Sequence, residues 1–338
     1  MPLRFEILAT PLIGACGGYL ASLAGWPLPW LVGALLAVII VRCCGWRLAE
    51  LPGGRQTGQL LIASGLGLHF TTEVLAQISE HLSMIMLGAL ATLLLSLIGI
   101  ALLRQAGLDR ATAFFASMPG GASEMVNLAR RNQAHAAQVA AAHSLRLLLV
   151  VLLIPALFNW GLPTTTAPQP QPVDWYWLSV LLPTGALLAL LWKHLRQPNP
   201  WMLGPLLVCA TASSSFDLHM GLPPVAGPLG QWLIGCALGC HFDRQFFRTA
   251  PAFLARILLF TLLAMLSAAA LARILGWLAD EDHLSLMLGM MPGGITELCL
   301  TAEALQLSVA LVTALQVLRL FLVMFLAEPL FRLWQRWS

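Results

Sequence analysis

One four-residue word occurs twice in this chain. Residues 118–121 read Met-Pro-Gly-Gly, and residues 291–294 read Met-Pro-Gly-Gly again. Each copy sits inside an apolar stretch, DRATAFFASMPGGASEMVNLA in the first and HLSLMLGMMPGGITELCLTAE in the second. Proline removes a backbone donor and clashes with the preceding turn. Two glycines add backbone freedom and supply no side chain. The word therefore predicts a helix break. In a bilayer, broken backbone survives only where protein covers it or where it lines a cavity. Two breaks at matching places in two halves are the sequence signature of a transporter binding site.

The bilayer context comes from composition. Of the 338 residues, 59% are apolar and 10% are charged. Soluble domains carry roughly a quarter charged residues, so the chain reads as a polytopic membrane protein. The net charge of +3 is too small for a nucleic-acid-binding surface. The N-terminal apolar run leads at once into a second, so it reads as an uncleaved first span. The seven cysteines lack zinc-finger or thioredoxin spacing and fall mostly in apolar runs, which predicts packed, reduced thiols. Cys236 and Cys240 share a helix face, the one place where a soft metal could sit.

Twelve apolar segments are legible, six per half: 6–24, 29–44, 57–73, 82–103, 111–129 and 137–158, then 175–192, 200–215, 229–242, 252–273, 284–305 and 309–331. The halves align. Pro29-Trp30 matches Pro200-Trp201, and Gly67, His69 and Phe70 match Gly239, His241 and Phe242. Glu124/Glu297 and Arg146/Arg319 keep the same offset of 173 as the two breaks. Residues 1–160 form a first membrane repeat, 161–174 a proline-rich linker, and 175–338 a second repeat. Charge sorting then sets orientation. If segments five and eleven are re-entrant, each half has five spans and the second is inverted. Fourteen of the 18 basic residues then lie on the cytoplasmic side, with both termini, and the uncharged linker is periplasmic. The expected fold is all-α: an inverted repeat of about 5+5 transmembrane helices in the bacterial inner membrane, with a broken or re-entrant helix in each half.

Four ionisable side chains occupy repeat-matched positions within apolar segments: Glu124, Glu297, Arg146 and Arg319. A charge at the bilayer centre costs about 2.5–3.5 kcal/mol on insertion scales, so it faces a partner or a wet cavity. Free N–H groups at Gly120, Gly121 and Ser123, and at Gly293, Gly294 and Thr296, suit an anion. Arg146 or Arg319 would add charge-assisted bonds. Glu124 and Glu297 would bind a coupling proton or sodium ion. The alternative is that each carboxylate pairs with an arginine and only locks the fold. His143 and Gln316 lie three residues before the two arginines, and Asn127 three after Glu124, so each could complete the site. His69 and His241 fall near span ends. Trp26, Trp30, Trp201 and Trp232 read as interfacial or packing aromatics, and Gly14, Gly17 and Gly18 as a close-packing surface.

No nucleophile elbow, Walker loop, dinucleotide fingerprint or HExxH occurs, so no enzyme activity and no cofactor are expected. At the duplicated word the chain resembles the AbrB family of duplicated bacterial inner-membrane proteins. The resemblance is carried by Ser117-Met118-Pro119-Gly120-Gly121 and Met290-Met291-Pro292-Gly293-Gly294. The downstream Leu145-Arg146-Leu147 and Leu318-Arg319-Leu320 are also similar. This first copy has Met118 between Ser and Pro, and the second lacks the Ser. The family carries the labels regulator of gene expression and ammonia monooxygenase. An oxygenase needs clustered His and carboxylates, and the eight His here are scattered. A direct regulator needs a basic DNA-reading element, and none is present. The residues point instead to an ion-coupled secondary transporter of a small, anionic solute, with a membrane sensor acting indirectly on gene expression as the alternative. The expected partners are a small-molecule or ion substrate and the lipid bilayer, with homodimer formation left open and no nucleic acid.

Overall fold

Sixteen helices follow one another in a computed structural model that describes residues 4–161, 171–248, 251–279 and 282–336. The first eight are α1 Arg4–Leu23, α2 Pro29–Cys43, α3 Gly54–Leu68, α4 Thr72–Glu80, α5 Leu82–Gln105, α6 Arg110–Ser117, α7 Ala122–Arg131 and α8 Ala136–Gly161. The second eight are α9 Trp175–His194, α10 Pro200–Phe216, α11 Ala226–Gly239, α12 Arg244–Arg248, α13 Pro251–Ala279, α14 His283–Met290, α15 Ile295–Ala304 and α16 Val309–Arg336. The order of long and short helices is the same in both sets. Local chemistry sets several boundaries. Pro29 and Pro200 open α2 and α10, where the missing N–H is harmless. Gly107, at φ 83, closes α5, its N–H donating to Arg104 O while Leu108 N donates to Leu103 O.

Among the described residues, six helices are long and apolar enough to cross a bilayer: α1, α5, α8, α9, α13 and α16. A seventh arises if α3 and α4 count as one span bent by 82°. The chain is a multi-pass membrane protein. Length does not yield ten spans, because α2, α3, α10 and α11 have only 15, 15, 17 and 14 residues. At 1.5 Å per residue such helices fall short of a hydrocarbon core about 30 Å thick. The apolar run 57–73 also does not stay straight, since α3 ends at Leu68. His69 closes that turn through Nδ1 on Gly65 O at 2.9 Å, and His241 does the same on Ala237 O at 3.0 Å. Both histidines therefore sit at helix ends. Segments five and eleven are each broken at the Pro-Gly-Gly word, into α6/α7 and α14/α15.

The helices gather into two compact units, each drawn from both sequence halves. In the first unit α1 packs on α2, α10 on α9 and α3, and α11 on α2 and α3. Gly17 and Gly33 let α1 and α2 touch backbone to backbone, because a Cβ at either would collide with the other's carbonyl. Gly14 and Gly18 likewise abut Cys236 and Trp30, and Trp232 Nε1 donates to Pro11 O at 3.0 Å. Arg42 ties the end of α2 to Phe242 O at 2.8 Å, with Asp243 at 3.7 Å. In the second unit α5 packs on α13, α6 and α16, and α14 packs on α13 and α16. The linker's residues 162–170 lie outside the described residues; Asp174 at its end caps α9. All seven cysteines are free, with Cys209, Cys236 and Cys299 buried.

Candidate functional site

The second unit contains both breaks, and each is built the same way from its sequence. Asp109 caps α6 by accepting from Thr112 N at 2.9 Å. Asp282 caps α14 by accepting from Leu284 N and Ser285 N at 3.1 and 3.0 Å. The hydroxyls of Thr112 and Ser285 accept the backbone N–H of His135 and Ser308, at 2.8 and 2.9 Å. Each first half-helix is thereby stitched to the approach to the next long helix. Burial pushes the Asp109 carboxyl up, but hydrogen bonds from Thr112 and the nearby His135 outweigh it, holding the carboxyl below the usual carboxylate range.

Both first half-helices end at the break, where carbonyls lose their helical donors. The two arginines meet those carbonyls. Arg146, on α8, donates through Nη1 to Met118 O at 3.1 Å and Ser117 O at 3.4 Å. Arg319, on α16, donates through Nη1 to Met291 O at 2.7 Å and through Nη2 to Gly293 O at 3.0 Å. Both side chains are buried, at 6% and 3% exposure. The polar residues three positions earlier hold them. His143 accepts from Arg146 Nη2 at Nδ1, 2.8 Å, and donates from Nε2 to Phe115 O at 2.9 Å. That pattern fixes a neutral imidazole with the proton on Nε2. Gln316 accepts from Arg319 Nη2 at Oε1 and donates from Nε2 to Gly289 O at 2.8 Å. A histidine and a glutamine thus do one job at matched positions.

Beyond each break the second half-helix starts at a glycine. The Glu124 and Glu297 carboxylates fold back over Gly121 and Gly294, where a Cβ on either glycine would collide with Oε2. They lie near helix N-termini, the favourable end for a negative group. The first glycines pack tightly: a Cβ at Gly120 would stand 2.8 Å from Val323 Cγ1, and one at Gly293 2.8 Å from Val150 Cγ1. Ser123 and Asn127 are exposed and Glu124 is half-buried, whereas Thr296 and Glu297 are buried. The arrangement therefore brings together each arginine, its His143 or Gln316 partner and the carbonyls of one break. It leaves Ser123 and Asn127 outside that cluster.

Pro119 and Pro292, one from each break, line a single cavity of about 10 Å³, with Thr92, Ser96, Ser117 and Arg319 among the other walls. That is room for about one water molecule. Thr92, Ser96 and Ser117 donate their hydroxyl protons to carbonyls of their own helices, leaving lone pairs for the cavity. Arg319 Nε is buried and has no hydrogen-bond partner among the described residues. Sequence reasoning missed Thr92 and Ser96, which carry no local signal. It also missed the Asp-x-x-Thr and Asp-x-x-Ser caps, which were visible as a repeat at the common offset of 173.

A multi-pass α-helical membrane protein with two discontinuous helices is the class this architecture defines. The chain belongs to the AbrB family, whose model, described as "Transition state regulatory protein AbrB", matches residues 30–335. It is similar to "Uncharacterized protein YhjN" of Bacillus subtilis (strain 168), at 29% identity over 360 aligned positions covering 95% of this chain and 91% of that protein. It is also similar to "Putative regulator AbrB" of Escherichia coli (strain K12), at 28% identity over 306 positions covering 88% and 87%.

Proposed function

We propose that this protein is an ion-coupled secondary transporter of a small anionic solute, with its site between the two Pro-Gly-Gly breaks. One observation carries the reading. The buried Nε–H of Arg319 has no hydrogen-bond partner among the described residues, and Arg319 lines a cavity walled by the prolines of both breaks. A desolvated guanidinium donor beside broken backbone is what an anion needs. A cavity of about 10 Å³ excludes a metabolite, so this is a closed state and the breaks must part to admit cargo. Glu124 and Glu297 are the coupling groups, positioned over the glycines that start each second half-helix. The repeats run inverted across the inner membrane with both termini cytoplasmic, which the distribution of basic residues supports.

Uptake of a labelled panel of small anions into proteoliposomes, with and without proton and sodium gradients, tests this. Gradient-dependent accumulation of one anion is expected, and no uptake of any anion under any gradient would overturn it. The regulator descriptions of the family model and the E. coli relative favour a second reading, a membrane sensor acting indirectly on transcription. Altered transcript levels in a deletion strain, with no uptake by the purified protein, would select it.

A further inference from the structure

Unwound carbonyls at the C-terminal ends of half-helices form a negative dipole end, the place where broken-helix transporters coordinate a metal cation. In this protein both such ends already hold a positive charge. Arg319 places its guanidinium among Met291 O, Gly293 O and Gln316 Oε1. Arg146 places its own against Ser117 O, Met118 O and His143 Nδ1. The acceptors are neutral, they converge from a break and a long helix, and the same construction occurs twice. A planar guanidinium satisfies several acceptors at once without shedding a tight hydration shell.

We propose that Arg146 and Arg319 are tethered cations filling the cation positions of the two breaks, so that the protein binds no sodium ion there. Resting on the transporter reading, this leaves Glu124 and Glu297, and not the break carbonyls, to take the coupling ion. It also supplies the broken backbone of both breaks with donors from within the chain. The carbonyl dipoles are neutralised by the chain itself, and the charge cannot leave with the cargo.

The test uses the full chain in detergent and reads melting temperature, so it needs no transport. With the carboxylates neutralised, a Glu124→Gln/Glu297→Gln protein should melt at one temperature in sodium, potassium and N-methylglucamine chloride. Arg319→Ala should melt lower than the wild type, and millimolar guanidinium, far below denaturing concentrations, should raise it saturably by several degrees. The wild type should not respond to guanidinium. Arg319→Lys should melt below the wild type and show no guanidinium rescue, since its ammonium still fills the position. Arg146→Ala carries the same test at the other break if Arg319→Ala does not fold. Saturable stabilisation of the Glu124→Gln/Glu297→Gln protein by sodium would overturn the proposal, whether or not any arginine variant folds. So would folded Arg319→Ala and Arg146→Ala proteins that ignore guanidinium. Absent uptake alongside guanidinium rescue would defeat the transporter reading and leave the tethered cations standing.

Discussion

Glu297 and Gly294 occupy one another's space: the carboxylate lies where a Cβ on the glycine would be, and Glu124 and Gly121 repeat the relationship. The obstacle is the far end of a flexible side chain, not backbone. Gly121→Ala and Gly294→Ala are therefore expected to fold, with the carboxylate displaced and gradient-driven uptake lost. Gly120→Ala and Gly293→Ala meet packed Val323 and Val150 instead, and overpacking costs about 1–3 kcal/mol. Melting temperature measured beside uptake separates the two pairs. A stability loss confined to Gly121→Ala and Gly294→Ala would show that this ordering is inverted.

If the carboxylates cycle a proton, their charge matters more than their shape. Glu124→Gln and Glu297→Gln are nearly isosteric and are expected to insert and fold. Exchange of labelled for unlabelled solute across the membrane should persist while accumulation against a gradient disappears. Uphill accumulation in the double glutamine variant would remove these residues from the coupling role.

His143 and Gln316 hold the two arginines by the same pair of hydrogen bonds. His143→Gln and Gln316→His should therefore leave melting temperature close to the wild type. His143→Ala and Gln316→Ala should each cost about 1–3 kcal/mol, because a buried carbonyl loses its donor. Equal stability of all four variants would mean that both breaks tolerate the loss of this partner.

The stitched caps give a stability prediction with a pH dependence. Asp109→Ala and Asp282→Ala should each cost about 0.5–2 kcal/mol. The folded Asp109 carboxyl lies below its ordinary value, so its contribution is complete above about 3.9, the unfolded value, and is lost as pH falls through the lower folded value. Melting curves at falling pH should show a smaller acid loss for Asp109→Ala than for the wild type.

The proposed orientation rests on the distribution of basic residues. Single cysteines in a cysteine-free background should react from the cytoplasmic side near Arg47, Arg104 and Arg196, and from the periplasmic side in the 161–174 linker. A linker labelled only after permeabilisation would replace the inverted repeat with a parallel one.

The breaks, the matched arginines and the helix-end histidines were legible because each has a local cause: a proline, a charge in an apolar run, a turn. The pairing of Arg319 with the Met291 and Gly293 carbonyls was not. Backbone acceptors have no letter in a sequence, and a buried arginine reads equally as a partner for Glu297 or for an anion. Helix length was hidden for a related reason: hydropathy registers the apolar runs 29–44, 57–73, 200–215 and 229–242, but not that their helices have only 15, 15, 17 and 14 residues. The cavity was hidden because Thr92 and Ser96 look like ordinary hydroxyls on an apolar helix.

The glycine at the first break rests on Val323 of the second half, and the glycine at the second break rests on Val150 of the first. Each half bonds the carbonyls of its own break through its arginine, but the packing against each break's first glycine is shared with the other half. The dependence remains open to a direct trial. Cut within the linker and expressed as two pieces, the protein should accumulate only when both are made together. Each piece alone should meet the fate of an orphaned subunit.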